Sequence, residues 1–188
     1  MPLFLVITDL HSQRHVFSPL ESALDRLRPD AVFCLGDLTD GVKTAVEYTT
    51  DFLNLFEERS LPLLCISGNN DAKKSLEMLD ERGVLLDYRE REVGGTRVIG
   101  LGYGPSEEPF TPRLAESVLL THLPPKRNSV PPTVTDVPRF HFSGHFHSRE
   151  RIWRLSGTWV VQVPTAQNYR AATLRMPRGW VEFIDLKG

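Results

Sequence analysis

The chain has 188 residues, 40% of them hydrophobic and 24% charged, with a formal net charge of −2. That length is enough to bury a core without disulfides or a structural metal, and the near-neutral balance gives no footing for a nucleic-acid coat protein or a polybasic membrane binder. No apolar run reaches membrane-spanning length, and the opening MPLFLVITDL is too short for a signal-peptide core and reads as a strand.

In chain order, strands are expected over 3–8, 31–35 and 61–67, alternating with helices over 19–27, 43–58 and 71–82. The middle helix offers Val46, Phe52, Leu53 and Phe56 as buried candidates. Cys34 and Cys65 fall within the second and third strands and, with no C-x-x-C spacing, read as buried thiols kept reduced in a cytoplasm. Strand–helix–strand repetition argues for parallel strands joined by right-handed crossovers. The second half is strand-rich, with short runs over 85–86, 88–93, 97–101, 117–121, 139–143, 149–155, 158–163, 171–176 and 180–186. Gly94-Gly95 marks a tight turn, as do Ser156-Gly157 and 177–179. The expectation is one α/β domain over 1–188, two sheets packed together with helices on the first sheet's outer face. Residues 123–138 contain five prolines and exclude regular structure, leaving a surface loop or a rim over a site.

The chemistry collects at strand ends. Asp9 and His11 follow the first strand, Asp37 the second and Asn69 the third, while His122 and then His145 and His147 close two later runs. Parallel sheets place ligand sites beyond their carboxyl ends. Imidazole and carboxylate suit manganese, iron, zinc or nickel, with no thiolate to impose a structural zinc site. The two oxygens of an Asp can bridge two ions, and Asp9/His11 and His145/His147 project alike if locally extended. Gly36, Gly68 and Gly144 permit tight turns beside such ions.

The ordered set Asp9-Leu10-His11, Gly36-Asp37, Gly68-Asn69-Asn70-Asp71, His122 and Gly144-His145-Phe146-His147 resembles the calcineurin-like metallophosphoesterase superfamily, in particular its small, cap-free phosphodiesterase-like branch. The resemblance implies a two-sheet ββ sandwich flanked by helices, the four-layer αββα arrangement. It implies two divalent ions, manganese first and iron, zinc or nickel as alternatives. One would lie on Asp9, His11, Asp37 and His147, the other on Asp37, Asn69, His122 and His145, so that Asp37, Asn69 and His122 act in catalysis through the metals. A hydroxide bridging the ions would attack phosphorus in line.

One position departs from the family pattern: Asn70 stands where most members carry a His, and an amide delivers no proton at neutral pH. Good leaving groups, in diesters or aryl esters, are therefore expected. His15 is the free histidine nearest the first motif and a candidate proton donor, whereas His141 reads as packed. Arg14, Lys126 and Arg127 are candidates for substrate phosphate oxygens. Asp71 reads as the N-cap of the following helix, with a supporting role near the metals as the alternative. The expected partner is a small phosphate ester; no membrane is expected, nucleic acid is not favoured, and the resemblance allows a homo-oligomer. Rival readings are a nuclease or cyclic-nucleotide hydrolase and, from another class, a non-catalytic protein-binding scaffold.

Overall fold

Period-two alternation sorts the apolar side chains of each central strand onto two faces, and a sandwich follows from it. In the computed structural model, which describes residues 1–41, 44–106, 108–125 and 136–188, β1 (Leu3–Ile7), β2 (Ala31–Cys34) and β3 (Leu63–Cys65) are buried throughout. Leu5, Ile7, Val32, Cys34 and Cys65 turn toward the helices α1 (Phe17–Leu27), α2 (Ala45–Glu57) and α3 (Lys73–Glu81). Phe4, Val6, Phe33 and Leu64 turn the other way, into the core between the sheets.

That inner core is completed by the second sheet, β4 (Arg89–Val93), β5 (Thr96–Leu101), β6 (Val118–Thr121), β7 (Phe140–Ser143), β8 (Arg151–Leu155) and β9 (Thr158–Gln162). Val98, Val118, Leu120, Phe140, Phe142 and Val161 supply its inward face. Each fully buried large side chain contributes roughly 1.5–3 kcal/mol. The exposed ion pairs, Lys74–Glu77 for example, are screened by solvent and add little beside that burial. Burial between the layers therefore holds the sandwich.

The first sheet runs β11-β10-β1-β2-β3 and the second β4-β5-β6-β7-β9-β8. β1, β2 and β3 are parallel, and so are β5, β6, β7 and β9. The C-terminal hairpin β10 (Arg170–Arg175) and β11 (Trp180–Asp185) returns to pair antiparallel with β1. Beyond the second sheet's outer face, Ile99, Leu101 and Leu119 pack with Leu114, Tyr88 and Phe110.

The elements fall within about two residues of the expected bounds, with three differences. Residues 85–86 form only an isolated bridge, Leu85 to Cys65. Val46 is 47% exposed, because α2 buries Ala45, Tyr48, Thr49, Phe52, Leu53, Leu55 and Phe56 instead. Asp71 does not cap α3: Ala72 holds that position without a side-chain cap, and Asp71 is turned inward. Both cysteines are free and buried, at paired positions across β2 and β3. No helix among the described residues is long and apolar enough to cross a membrane.

Candidate metal centre

The loops leaving the parallel strands are laced to one another before they carry any chemistry. Backbone bonds run from Asp9 N–H to Gly36 O, His11 N–H to Asp37 O and Ser12 N–H to Leu38 O, each 3.0 Å, so the chains after β1 and β2 travel side by side. Between the sheets, His145 N–H donates to Asp9 Oδ2 (2.9 Å), and Thr165 Oγ1 donates to Asp9 O (2.6 Å). Gly144 is where the layers touch: a Cβ there would lie 2.0 Å from Thr8 Oγ1 and 2.9 Å from Asp9 Oδ2.

This lacing holds strained backbone. Asp9, His11, Asp37 and His145 all have positive φ, between 47° and 71°, a region that disfavours a side chain by roughly 1–2 kcal/mol each. Asp9/His11 and His145/His147 are thus not extended pairs that would project alike; left-handed residues at Asp9, His11, Asp37 and His145 set the direction of those side chains instead. Such strain concentrates where side-chain placement matters more than local stability.

Two donor sets result. In the first, His11 Nε2 and His147 Nε2 face each other at 3.2 Å, with Asp9 Oδ1 3.7 Å from the former and 3.4 Å from the latter. In the second, His122 Nε2 lies 3.3 Å from Asp37 Oδ2 and 2.9 Å from Asn69 Oδ1, and His145 Nδ1 lies 3.1 Å from the same Asn69 oxygen. Asp37 Oδ2 belongs to both, since His11 Nε2 is 3.7 Å away. Asp9 with His11 and His147, and Asp9 with Asp37 and His122, have ligand atoms within 4.8 Å of one another.

These sets fit cations. Asp9 is fully buried, and its Oδ1 has no hydrogen-bond partner among the described residues, a costly arrangement for an ionised oxygen. His122 Nδ1 donates to Leu35 O (2.9 Å), which leaves the Nε2 lone pair aimed at two oxygens. Lone pairs converging on one point repel until a positive charge enters. The pKa directions agree: the nearby Asp9 carboxylate, and then Asp37, raise His11 above the ordinary histidine value despite burial. Burial depresses His122, but the Asp37 carboxylate outweighs it and the net shift is upward. Burial likewise pushes Asp37 up, yet bonds from His122 and Asn70 hold it down to about 2.

Asn70 and Asp71 support Asp37 from behind. Asn70 donates to both Asp37 oxygens, through its backbone N–H to Oδ1 and its amide to Oδ2, each 2.7 Å. Asp71 accepts from Asp37 N–H (3.0 Å), Gly68 N–H (2.8 Å), Thr39 N–H (2.9 Å) and Thr39 Oγ1 (3.2 Å), so its carboxylate pins three backbone positions beneath the site. The burial that accompanies this raises its pKa.

The other candidates lie elsewhere. Arg14 is tied to Glu47 and Asp51 on α2, and His15 meets Gln167 O (3.1 Å) and the Tyr169 ring. Neither forms a hydrogen bond or ion pair with any of the seven candidate ligands among the described residues. Lys126 and Arg127 lie outside the described residues. His141 is buried on the outer side of β7 and bonds Thr121 Oγ1 at 2.8 Å. Sequence reasoning missed Thr8 and Thr165, which orient Asp9; Thr8 had only its adjacency to Asp9 as a signal and Thr165 had none.

The calcineurin-like phosphoesterase model matches residues 2–149. No curated protein matches the sequence. Among solved structures, TT1561 of Thermus thermophilus aligns at a TM-score of 0.73 with 12% identity, covering 98% of this chain and 99% of that one. An archaeal phosphodiesterase aligns at 0.62 with 13% identity over 97% and 99%, and a dimetal phosphatase from Danio rerio at 0.62 with 14% identity over 98% and 99%. At these identities the likeness is one of fold.

Proposed function

The chain belongs to the calcineurin-like phosphoesterase family, and from that premise we propose that it hydrolyses phosphodiesters or activated aryl phosphate esters with two divalent metal ions. The observation that carries this reading is the convergence of acceptor atoms about Asp37, with the orphaned Asp9 Oδ1 beside it. Asp9, His11, Asp37 and His147 would hold one ion, and Asp37, Asn69, His122 and His145 the other. Bound ions would supply Lewis-acid activation of the phosphoryl group and of an attacking water. Manganese is the metal we expect, with iron, zinc or nickel as alternatives for this donor set.

The protein's own contribution is placement. Asn70 holds the Asp37 carboxylate between the donor sets while Asp71 anchors the Asp37 backbone, and Leu35 O fixes the tautomer of His122. Asn70 spends its amide on Asp37 and has no proton to give a departing alkoxide. His15 is occupied with Gln167. Both points favour leaving groups that depart as stable anions. The test is manganese reconstitution followed by assays on bis(p-nitrophenyl) phosphate, p-nitrophenyl phosphate and an alkyl monoester, with Asp37→Asn as the blank. The reading expects a preference for aryl esters; equal turnover on aryl and alkyl monoesters, or activity surviving in the blank, sinks it.

A further inference from the structure

Beside the metal centre lies a cleft of about 440 Å³ whose rim is built by the loops that carry three of the candidate ligands. Pro124 follows His122 into it, and Phe146, between His145 and His147, forms one wall. The Phe146 ring sits 5.3 Å from the His145 ring. The floor is Gln162, whose amide bonds the carbonyls of Ser143 and Gly144 and thereby ties the cleft to the Gly144–His147 loop. The far wall is the edge strand β8, where Arg151 and Trp153 share the outward face.

Two cations project here. The Arg149 guanidinium lies over the Phe146 ring at 4.5 Å and that of Arg151 over the Trp153 ring at 5.1 Å. Stacking on a ring face leaves the in-plane N–H donors of a guanidinium available for an anion. Among the described residues no acidic side chain lines the cleft, and Glu150, between the two arginines, is engaged by Arg170. Among the same residues neither Arg149 nor Arg151 forms an ion pair, as is also true of Arg139 and Arg154, but Arg149 and Arg151 are gathered in one cleft. Two charges without an ion-pair partner among the described residues therefore sit next to a centre that already meets the charge of the scissile phosphate.

Building on the phosphoesterase reading above, we propose that this cleft binds the arm of the substrate that remains attached to the scissile phosphate. That arm would be a planar ring carrying a second anionic group, of the nucleotide type. The guanidinium forks match phosphate or carboxylate oxygens, and the Trp153 ring backed by Arg151 matches a base face. Arg149, Arg151 and Trp153 are specificity residues under this assignment; the chemistry stays with the metal centre.

Three aryl diesters with the same leaving group test it: bis(p-nitrophenyl) phosphate, thymidine 5′-(p-nitrophenyl phosphate), and the latter bearing a 3′-phosphate. The manganese-loaded wild type is expected to favour the 3′-phosphorylated ester over the plain thymidine ester in kcat/KM by about tenfold or more. The double variant Arg149→Ala/Arg151→Ala brings that ratio near one, mainly through KM. Trp153→Ala lowers both thymidine esters relative to bis(p-nitrophenyl) phosphate. A ratio unchanged by the double variant, or an equal loss on all three esters, overturns the assignment. Binding of thymidine 3′,5′-bisphosphate, followed by tryptophan fluorescence, needs no turnover. If the wild type cleaves none of the esters, the functional reading fails while this binding still decides the subsite. Saturable binding weakened in the double variant supports it, and absent or unaltered binding overturns it.

Discussion

Replacing Gly68 by alanine asks whether the loop after β3 must approach Asp37 as closely as it does. A Cβ at that position would lie 2.3 Å from both the backbone nitrogen and Oδ1 of Asp37. Ordinary contact starts near 3.4 Å, so the two segments must part by about 1 Å. Asp37 has no room to yield, because its N–H is held by Asp71 and its Oδ1 by the Asn70 N–H. Overpacking of this kind costs about 1–3 kcal/mol. In a chain of this size each kcal/mol lowers Tm by roughly 2–4 °C, so a fall of about 2–12 °C is expected. The larger effect is on function: moving a shared ligand by about 1 Å costs on the order of 10²-fold in kcat/KM, and metal affinity falls by about 10- to 100-fold. Gly95→Ala is the control. Unlike Gly68, it has a positive φ (70°), but nothing lies within 4 Å of the added Cβ, so it costs about 1 kcal/mol in stability and leaves metal affinity alone. Thermal melts, a manganese titration and turnover of bis(p-nitrophenyl) phosphate read both variants. A Gly68→Ala protein that matches Gly95→Ala in all three measurements would mean that the loop after β3 need not approach Asp37 this closely.

Burial lowers the pKa of His141 to about 4 from 6.5, so its neutral form is favoured by folding. Its stabilising contribution is complete above pH 6.5 and is lost as pH falls toward 4, about 3 kcal/mol in all. Denaturant melts of the wild type and His141→Leu between about pH 7 and 4 should show a flatter profile in the variant; parallel profiles contradict this. Asn70→His restores a proton-bearing group and should raise turnover of alkyl monoesters by a larger factor than aryl esters, measured as a ratio of kcat values. Uniform acceleration or loss counts against a missing proton donor. Metal at about 100-fold its Kd adds about 2.7 kcal/mol of stability, so chelation should lower Tm by roughly 5–10 °C. An unchanged Tm after verified metal removal speaks against the two donor sets as a metal site.

Much of the candidate site was legible because its information is local. Asp9, His11, Asp37, Asn69, His122, His145 and His147 each follow an apolar run, and such runs end where a parallel sheet opens to solvent. Residue type and position at a strand end were enough to collect these seven, and the structure brings them within a few ångströms. What failed were inferences about which neighbour a side chain chooses. Asp71 precedes a helix and looks like a cap, yet three backbone amides, two of them from the distant loop after β2, recruit it inward. Arg14 follows the first motif but finds Glu47 and Asp51 across a loop. Val46 matches an apolar stripe but lies on the wrong side of α2 once Tyr48 and Thr49 are buried.

Strand faces, the order of the motifs and the donor chemistry can be read along the chain, since alternation and residue type are properties of short segments. Tertiary structure alone decided that β10 and β11 return to β1, that Thr165 reaches Asp9, and that Arg149 and Arg151 line one cleft with Phe146 and Trp153. A period of two states which face a side chain takes but not which strand lies beside it. That choice is made by packing the two sheets face to face, where contacts far apart in sequence are settled together.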